Sequence, residues 1–500
     1  MTAPTRHGRP IAVNVVRTGV ALACAFAILA GGAGWWQVVE AQRLSTAPDN
    51  PAVIAAARRT LRGPIVDRGG RWLARSSRDA NGEALREYRD PTISQVVGYA
   101  SRLYGTAGLE RTYNAQLLGL EGSDPSGGLL GKFNATPQDP LGLRLSVDLR
   151  LQQAAVAGLG KDKGAVVMLD PTTGEILALA STPTYNASAI ANPATAAATF
   201  DRLRNDGANP LLPRATQGRY VPGSVFKIVT AMAALDSGAV TPSTTFPQQP
   251  AAEKTGLLVQ GYRINDGHHP QTGTRALDLT GATEVSCNIW YALAGLATGG
   301  RALVDKASEL GFGAQIPFDL PTAVSRVTGG GGPAPGGFAG DTELAAAAFG
   351  QGETFVTPLQ MALVAAAVAN DGVLMRPHLV TQITGDGPGA RTIEPQTWSR
   401  VLSAADAQAI QAAMEQAVEG SLGRLFTTGA KVPGVPTAGK SGTAQLGSGE
   451  PHSWFIGFAP VENPRIAIAV LVENGGRGGE RAAPLAGTLM TRYFALYGKP

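Results

Sequence analysis

Gly223-Ser-Val-Phe-Lys-Ile-Val-Thr-Ala-Met-Ala-Ala-Leu235 is the stretch on which the reading of this chain turns. Its apolar spacing predicts a helix beginning at Ser224, and Tyr220-Val-Pro-Gly223 supplies a sharp turn into it. Positions i and i+3 share one helix face, so Lys227 can reach the Ser224 hydroxyl. A serine becomes nucleophilic when a base takes its proton, and a lysine serves if burial or neighbouring charge leaves it neutral. The start of a helix adds backbone N–H groups and a positive dipole end, which favour negative charge developing on an attacked oxygen. Alone, Ser-x-x-Lys is a common accident.

Two later runs change its weight. In Ser286-Cys-Asn288 the serine and asparagine alternate on an extended or turn segment, so both can face one cleft. The second hydroxyl can relay a proton to a leaving amine, and the Asn288 carboxamide can hold both Lys227 and a substrate carbonyl. Lys440-Ser-Gly-Thr443 reads as an edge strand in which Gly442 allows another backbone close. Lys440, Ser441 and Thr443 can then bind a terminal carboxylate while an extended peptide pairs with the strand. Together the runs supply a nucleophile, proton carriers and a carboxylate clamp, the equipment of a serine acyltransferase that opens an amide without histidine or metal.

Composition narrows the class. With 500 residues, two or three domains are expected, and 44% apolar against 16% charged residues describes a globular chain. The net charge of +4 comes from scattered residues, so no nucleic-acid partner is expected. The two cysteines, Cys24 and Cys287, sit in unrelated contexts and are not expected to pair. None of the five histidines shows metal-ligand spacing; adjacent His268-His269 could touch a metal, but a polar loop is the favoured reading, so no metal or cofactor is expected.

Thr18 to Val39 is free of charge and long enough for one membrane crossing of ~20 residues. Arg6, Arg9 and Arg17 precede it and only Arg43 follows closely, which predicts a cytoplasmic N-terminus and an extracytoplasmic remainder. A cleavable signal peptide is the competing reading. Beyond a polar stalk, 62–70 reads as strand, turn and strand, within a small irregular module that runs to about Pro140. From Leu143 the pattern changes to a helix in 145–159, a hairpin of 165–169 and 176–180, strands at 440–446, 454–459 and 465–472, and a closing helix at 484–497. Strands first and last around a helical middle predict an α+β fold, an antiparallel sheet covered by helices. The expected divisions are 1–17 cytoplasmic tail, 18–39 anchor, 40–142 non-catalytic pedestal and 143–500 catalytic domain.

The motifs stand with Arg62-Gly-Pro-Ile-Val-Asp-Arg-Gly69, Gly105-Thr-Ala-Gly-Leu-Glu110, Gly164-Ala-Val-Val-Met-Leu-Asp-Pro171, Gly350-Gln-Gly352 and Trp454-Phe-Ile-Gly-Phe-Ala-Pro460. In that order they resemble class B, monofunctional penicillin-binding proteins, the peptidoglycan D,D-transpeptidases, over roughly 60–497. The resemblance implies a penicillin-binding, serine β-lactamase-like transpeptidase domain behind a pedestal. It implies that Ser224 is acylated by the penultimate D-Ala of a stem pentapeptide, with Lys227 as base and Ser286 as proton shuttle. Asn288 would orient Lys227 and the substrate amide; Lys440, Ser441 and Thr443 would hold the terminal carboxylate. Backbone N–H groups of Ser224 and Thr443 would form the oxyanion hole. Implied partners are peptidoglycan stem peptides, β-lactam antibiotics, the lipid bilayer through 18–39, and a SEDS-type glycan polymerase. Ser441, Val221 and Pro213 stand where Thr, Pro and Asn are more frequent. A D,D-carboxypeptidase, a β-lactamase and a non-catalytic β-lactam- or muropeptide-binding scaffold are the competing readings. The chain lacks an obvious Glu-x-x-x-Asn loop between Asn288 and Lys440 that would activate a deacylating water.

Overall fold

The structure, a computed structural model, describes residues 11–38, 40, 60–79, 81–120, 139–266, 269, 275–422, 427 and 429–499. Residues 1–60 and 61–500 form separate compact units. In the first, one helix spans Ile11–Val38, and its segment Val13–Trp36 has a mean hydropathy of 1.9 and is apolar enough to cross a membrane. The helix starts well before the expected Thr18 and takes in Arg17, because nothing in 11–17 breaks a helix. His268 and the stalk at 41–59 lie outside the described residues.

The second unit is built on two sheets. Its strands are β1 (Ile65–Val66), β2 (Trp72–Arg78), β3 (Ala84–Tyr88), β4 (Gly142–Leu145), β5 (Gly164–Leu169), β6 (Ile176–Thr182), β7 (Val380–Thr384), β8 (Arg391–Thr392), β9 (Ala438–Ala444), β10 (His452–Ala459) and β11 (Ile466–Val472). A five-stranded sheet has the order β9-β10-β11-β5-β6, with every pair antiparallel. Strands β5, β6 and β11 are buried along their whole length. They read as continuous apolar runs because helices cover both faces. Alternation sorts their residues: Val167, Ala469 and Leu471 join one core, while Val166, Met168, Ile468 and Val470 join the other. The helix Pro358–Ala369 is apolar all round and buried at each of its 12 residues, as a helix between sheet and further helices must be. Helices Leu149–Leu159 and Ala482–Tyr497 close the opposite face.

The other sheet, β8-β7-β4-β1-β2-β3, is shared along the chain. β1 and β4 run parallel, and β7, from far downstream, pairs antiparallel with β4. The expected boundary at 142/143 therefore falls within β4. Beside this sheet, buried Glu110 accepts from Arg62 Nε (2.7 Å), Arg86 Nε (2.6 Å) and the Tyr88 hydroxyl (3.1 Å). That cluster gives a physical reason for the first two matched runs: they carry the two ends of one buried ion pair.

Candidate active site

The nucleophile does not open an α-helix as its periodicity predicts. Gly223–Phe226 is a 3-10 turn and the α-helix begins at Lys227, running to Asp236. The cause is upstream. Gly223 has φ +56, and a side chain there would place its Cβ 2.7 Å from the Thr443 carbonyl oxygen. Its N–H, which has no acceptor within a helix starting here, donates to Gly350 O (2.9 Å). In a 3-10 turn, i and i+3 eclipse, which keeps Ser224 and Lys227 on one side. The approach to the turn is pinned twice more: Tyr220 exchanges backbone hydrogen bonds with Val356, and Trp454 Nε1 donates to Val221 O at 3.0 Å.

Of the two expected settings for Ser286 and Asn288, extended or turn, the structure has the turn. The helix Leu279–Glu284 ends in a left-handed residue, Ser286 at φ +60, and the next helix, Asn288–Thr298, starts two residues later. Cys287 caps that helix, its Sγ accepting from Trp290 N at 3.3 Å. A non-glycine residue in this region costs about 1–3 kcal/mol and persists where its surroundings fix it. Here the backbone amides of Ser286 and Cys287 both bond back into the preceding helix. The result is a rigid corner that aims both side chains at the base.

Lys227 is fully buried. Its Nζ donates to Ser286 O (2.6 Å) and Asn288 Oδ1 (2.7 Å) and lies 3.2 Å from Ser286 Oγ. Two strong acceptors match the two N–H bonds of a neutral amine, leaving the lone pair for a hydroxyl proton. Burial lowers its pKa to about 8, against the opposing charge of Asp266. Lys440, on β9, is also buried and donates to Ser286 Oγ (2.8 Å) and Ser441 O (2.9 Å). Burial, and then the charge of Lys227, holds Lys440 well below the ordinary lysine range. One serine oxygen thus sits between two amines that resist being charged together, so their protons titrate as a coupled set.

β9 is the edge of its sheet, as expected. Gly442 leaves little room there, because a Cβ would lie 3.0 Å from Pro222 O and Val225 Cγ1. It is the nucleophile's own turn that closes on Gly442. A cleft of about 1030 Å³ runs past Ser224, Ser286, Asn288 and Thr443. Thr443 Oγ1 accepts from Gly478 N (3.2 Å), which leaves its hydroxyl hydrogen for a ligand. Ser441 is buried on the same strand. Ser224, Ser286, Asn288 and Thr443 line this cleft, and Lys227 and Lys440 are hydrogen-bonded to Ser286 behind it.

The family description "Penicillin binding protein transpeptidase domain" matches residues 164–491, and "Penicillin binding protein A dimerisation domain" matches 62–127. The chain belongs to the penicillin-binding protein transpeptidase family. It is 35% identical to peptidoglycan D,D-transpeptidase PbpA of Mycolicibacterium smegmatis, over 94% of this chain and 96% of that one. It is 34% identical to the PbpA of Mycobacterium tuberculosis H37Rv, over 97% and 99%. Among solved structures it is similar to penicillin-binding protein A from M. tuberculosis as a penicillin G acyl-enzyme complex. That match has 32% identity and a TM-score of 0.75, covering 87% of this chain and 100% of that one. The fold is thus the penicillin-binding transpeptidase fold anticipated from the motifs.

This penicillin-binding protein carries two features that sequence reasoning missed. Buried Arg214 pairs with Glu473 (2.7 Å), whose same carboxylate oxygen accepts from the Tyr220 hydroxyl (2.8 Å). Burial raises Glu473, but Tyr220 and Arg214 outweigh it and hold the carboxyl below its ordinary value. Glu473 lies far from Tyr220 in sequence, so no local pattern could join them. The second feature is Asp266, which accepts from Ile289 N (3.2 Å) behind the Ser286 corner. Burial pushes its carboxyl up, while His269 and Lys227 pull it below the ordinary value. Asp266, Glu253, His269 and Cys287 have their ligand atoms within 4.8 Å of one another. Four donor types from separated positions offered no motif to recognise.

Proposed function

We propose that this chain is a peptidoglycan D,D-transpeptidase that crosslinks stem peptides through an ester on Ser224. The observation that carries the reading is the pair of buried amines, Lys227 and Lys440, meeting at Ser286 Oγ beside the Ser224 turn. Neutral Lys227 takes the Ser224 proton as Oγ attacks the penultimate D-Ala carbonyl. Backbone N–H groups of Ser224 and Thr443 hold the oxyanion. Ser286 passes its proton to the departing D-Ala nitrogen and is reprotonated from the lysines on either side. Lys440 reaches Ser286 rather than the open cleft, so its part is to hold the Ser286 hydroxyl. The hydroxyls of Ser441 and Thr443 take the direct hydrogen bonds to the terminal carboxylate, and Asn288 holds Lys227 and the substrate amide. An amine from a second stem attacks the ester and completes the crosslink. β-Lactams present the same carbonyl to Ser224 and leave a slow ester, as in the penicillin G complex of the M. tuberculosis relative.

The helix Ile11–Val38 fits a single membrane anchor. Arg6, Arg9 and Arg17 support an N-terminus in the cytoplasm, with the catalytic region outside. Residues 40–142 then act as a non-catalytic pedestal below the domain 143–500. Anchor and pedestal together would meet a SEDS-type glycan polymerase.

The test uses the full chain in detergent. A fluorescent penicillin should label it covalently, and Ser224→Ala should abolish labelling; persistent labelling at another residue sinks the assignment. A stem-peptide thioester with an added D-amino acid should give the exchanged amide by mass spectrometry. Free acid alone would make the protein a carboxypeptidase.

A further inference from the structure

Ser224 and Thr443 lie on different elements, so the spacing of their backbone N–H groups depends on what ties the two together. Thr443 on β9 is paired with Ser453 on β10, and Ser453 with Val472 on β11. Glu473 is the next residue after that row. Its N–H donates to Lys163 O (2.8 Å), and its side chain is 12% exposed. Glu473 Oε1 accepts from the Tyr220 hydroxyl (2.8 Å) and from Arg214 Nε (2.7 Å). Arg214 spends its other two nitrogens on Asn209 O (3.0 Å) and Ala208 O (2.7 Å), so the guanidinium that meets the carboxylate is itself fixed. The Tyr220 ring lies edge-on to Trp454, with centroids 6.3 Å apart. Trp454, paired with Gly442 across β9, donates in turn to Val221 O. Two ties thus run from this end of the sheet to consecutive residues, Tyr220 and Val221, ahead of the nucleophile.

We infer that Glu473 is a positioning residue for acylation: through the Tyr220 hydroxyl it sets the spacing between the backbone N–H groups of Ser224 and Thr443. The inference rests on the reading of those two groups as the oxyanion hole. Such donors act only when aimed at the point where charge develops, and a displacement of ~1 Å can cost on the order of 100-fold in rate. β11 is buried along its whole length and paired on both sides, which makes it a stiff reference. The approach to Ser224 is irregular apart from the bridge between Tyr220 and Val356, so it takes its position from what it is tied to. Glu473 does not line the cleft that holds Ser224 and Thr443, and its effect passes through Tyr220.

The test follows acylation of the full chain in detergent by fluorescent penicillin, with the noncovalent dissociation constant and the first-order acylation rate measured separately. Tyr220→Phe removes one hydroxyl and keeps the pair of Arg214 with Glu473; it should slow acylation about 10-fold and leave the dissociation constant within about twofold. Glu473→Gln, whose amide oxygen still accepts from Tyr220, should keep more of the rate than Glu473→Ala. In a double-mutant cycle Tyr220→Phe should add little to Glu473→Ala, because both remove one contact. Lys163→Ala takes away a 43%-exposed cation 3.5 Å from the other carboxylate oxygen and should leave the rate close to wild type. Loss of fold lowers the labelled amplitude and not the rate of the chains that label. Tyr220→Phe, the mildest change, decides alone if Glu473→Ala yields no labelled chain. A wild-type rate in Tyr220→Phe overturns the proposal, as do additive losses in the cycle, a loss confined to the dissociation constant, or a loss in Lys163→Ala as large as in Tyr220→Phe. Labelling that persists in Ser224→Ala overturns instead the reading of Ser224 on which the proposal rests.

Discussion

The state of Lys227 sets how the acylation rate depends on pH. An amine at its ordinary value of 10.5 is neutral in roughly one molecule in 3,000 at pH 7. Burial brings Lys227 to about 8, which makes the neutral fraction roughly one in ten, about 300-fold more base. That factor corresponds to about 3 kcal/mol of barrier supplied by desolvation. The neutral form is productive, so the rate grows as pH rises through the folded pKa and levels above it. Acylation of Ser224 by sub-saturating fluorescent penicillin should climb about tenfold between pH 6 and 7, bend near 8 and then flatten. Lys227→Arg keeps the cation but has no accessible base, and it should lose on the order of 10³ in rate together with the pH dependence. Rates would be read by quenched gel densitometry, with melting temperature followed at each pH to exclude unfolding. A wild-type rate that is flat from about pH 6 to 9, or Lys227→Arg within tenfold of wild type, would refute the assignment of Lys227 as base.

Three further outcomes follow from particular contacts. Gly223→Ala forces a side chain against the Thr443 carbonyl at φ +56; it should destabilise by about 1–3 kcal/mol and slow acylation, read by melting temperature and penicillin labelling. Glu473→Ala leaves buried Arg214 without its carboxylate and should cost about 3 kcal/mol in chemical denaturation, while Tyr220→Phe should cost about 1 kcal/mol. Burial pushes Glu110 up, but Arg86 and Arg62 hold its folded carboxyl below 4.5. Its contribution is therefore present above the unfolded value and lost as pH falls through the folded one. Melting temperature should drop below about pH 4.5, and Glu110→Gln should lower it at neutral pH while flattening that acid limb.

Much of the architecture was legible because periodicity is local. The hairpin β5–β6 and the strands β9, β10 and β11 were placed to within a few residues, since runs such as Ile466–Val472 can be little else. The apolar run from Thr18 was legible by its lack of charge, and the helix that holds it begins earlier because Arg17 does not interrupt a helix. For Ser286 the extended and turn settings stayed open, because its left-handed backbone follows from the end of the helix Leu279–Glu284, which apolar alternation does not report. At Ser224 the chain makes a 3-10 turn first and an α-helix only from Lys227, a difference that apolar spacing does not report.

By itself the sequence determined the inventory of the chemistry: a serine, two lysines, an asparagine and a glycine-containing edge strand, in a fixed order. Chain order specifies which groups are available and nothing about their electrostatics. Tertiary structure decided that Lys227 and Lys440 are both stripped of water and share Ser286 Oγ, which turns two ordinary cations into a base and its relay. It also decided that Glu473 reaches Tyr220 and that Glu253, Asp266, His269 and Cys287 converge behind the Ser286 corner. Depressed lysine pKa values and shared ligands arise from burial and distance in space, and those exist only once the strands and helices have closed on one another.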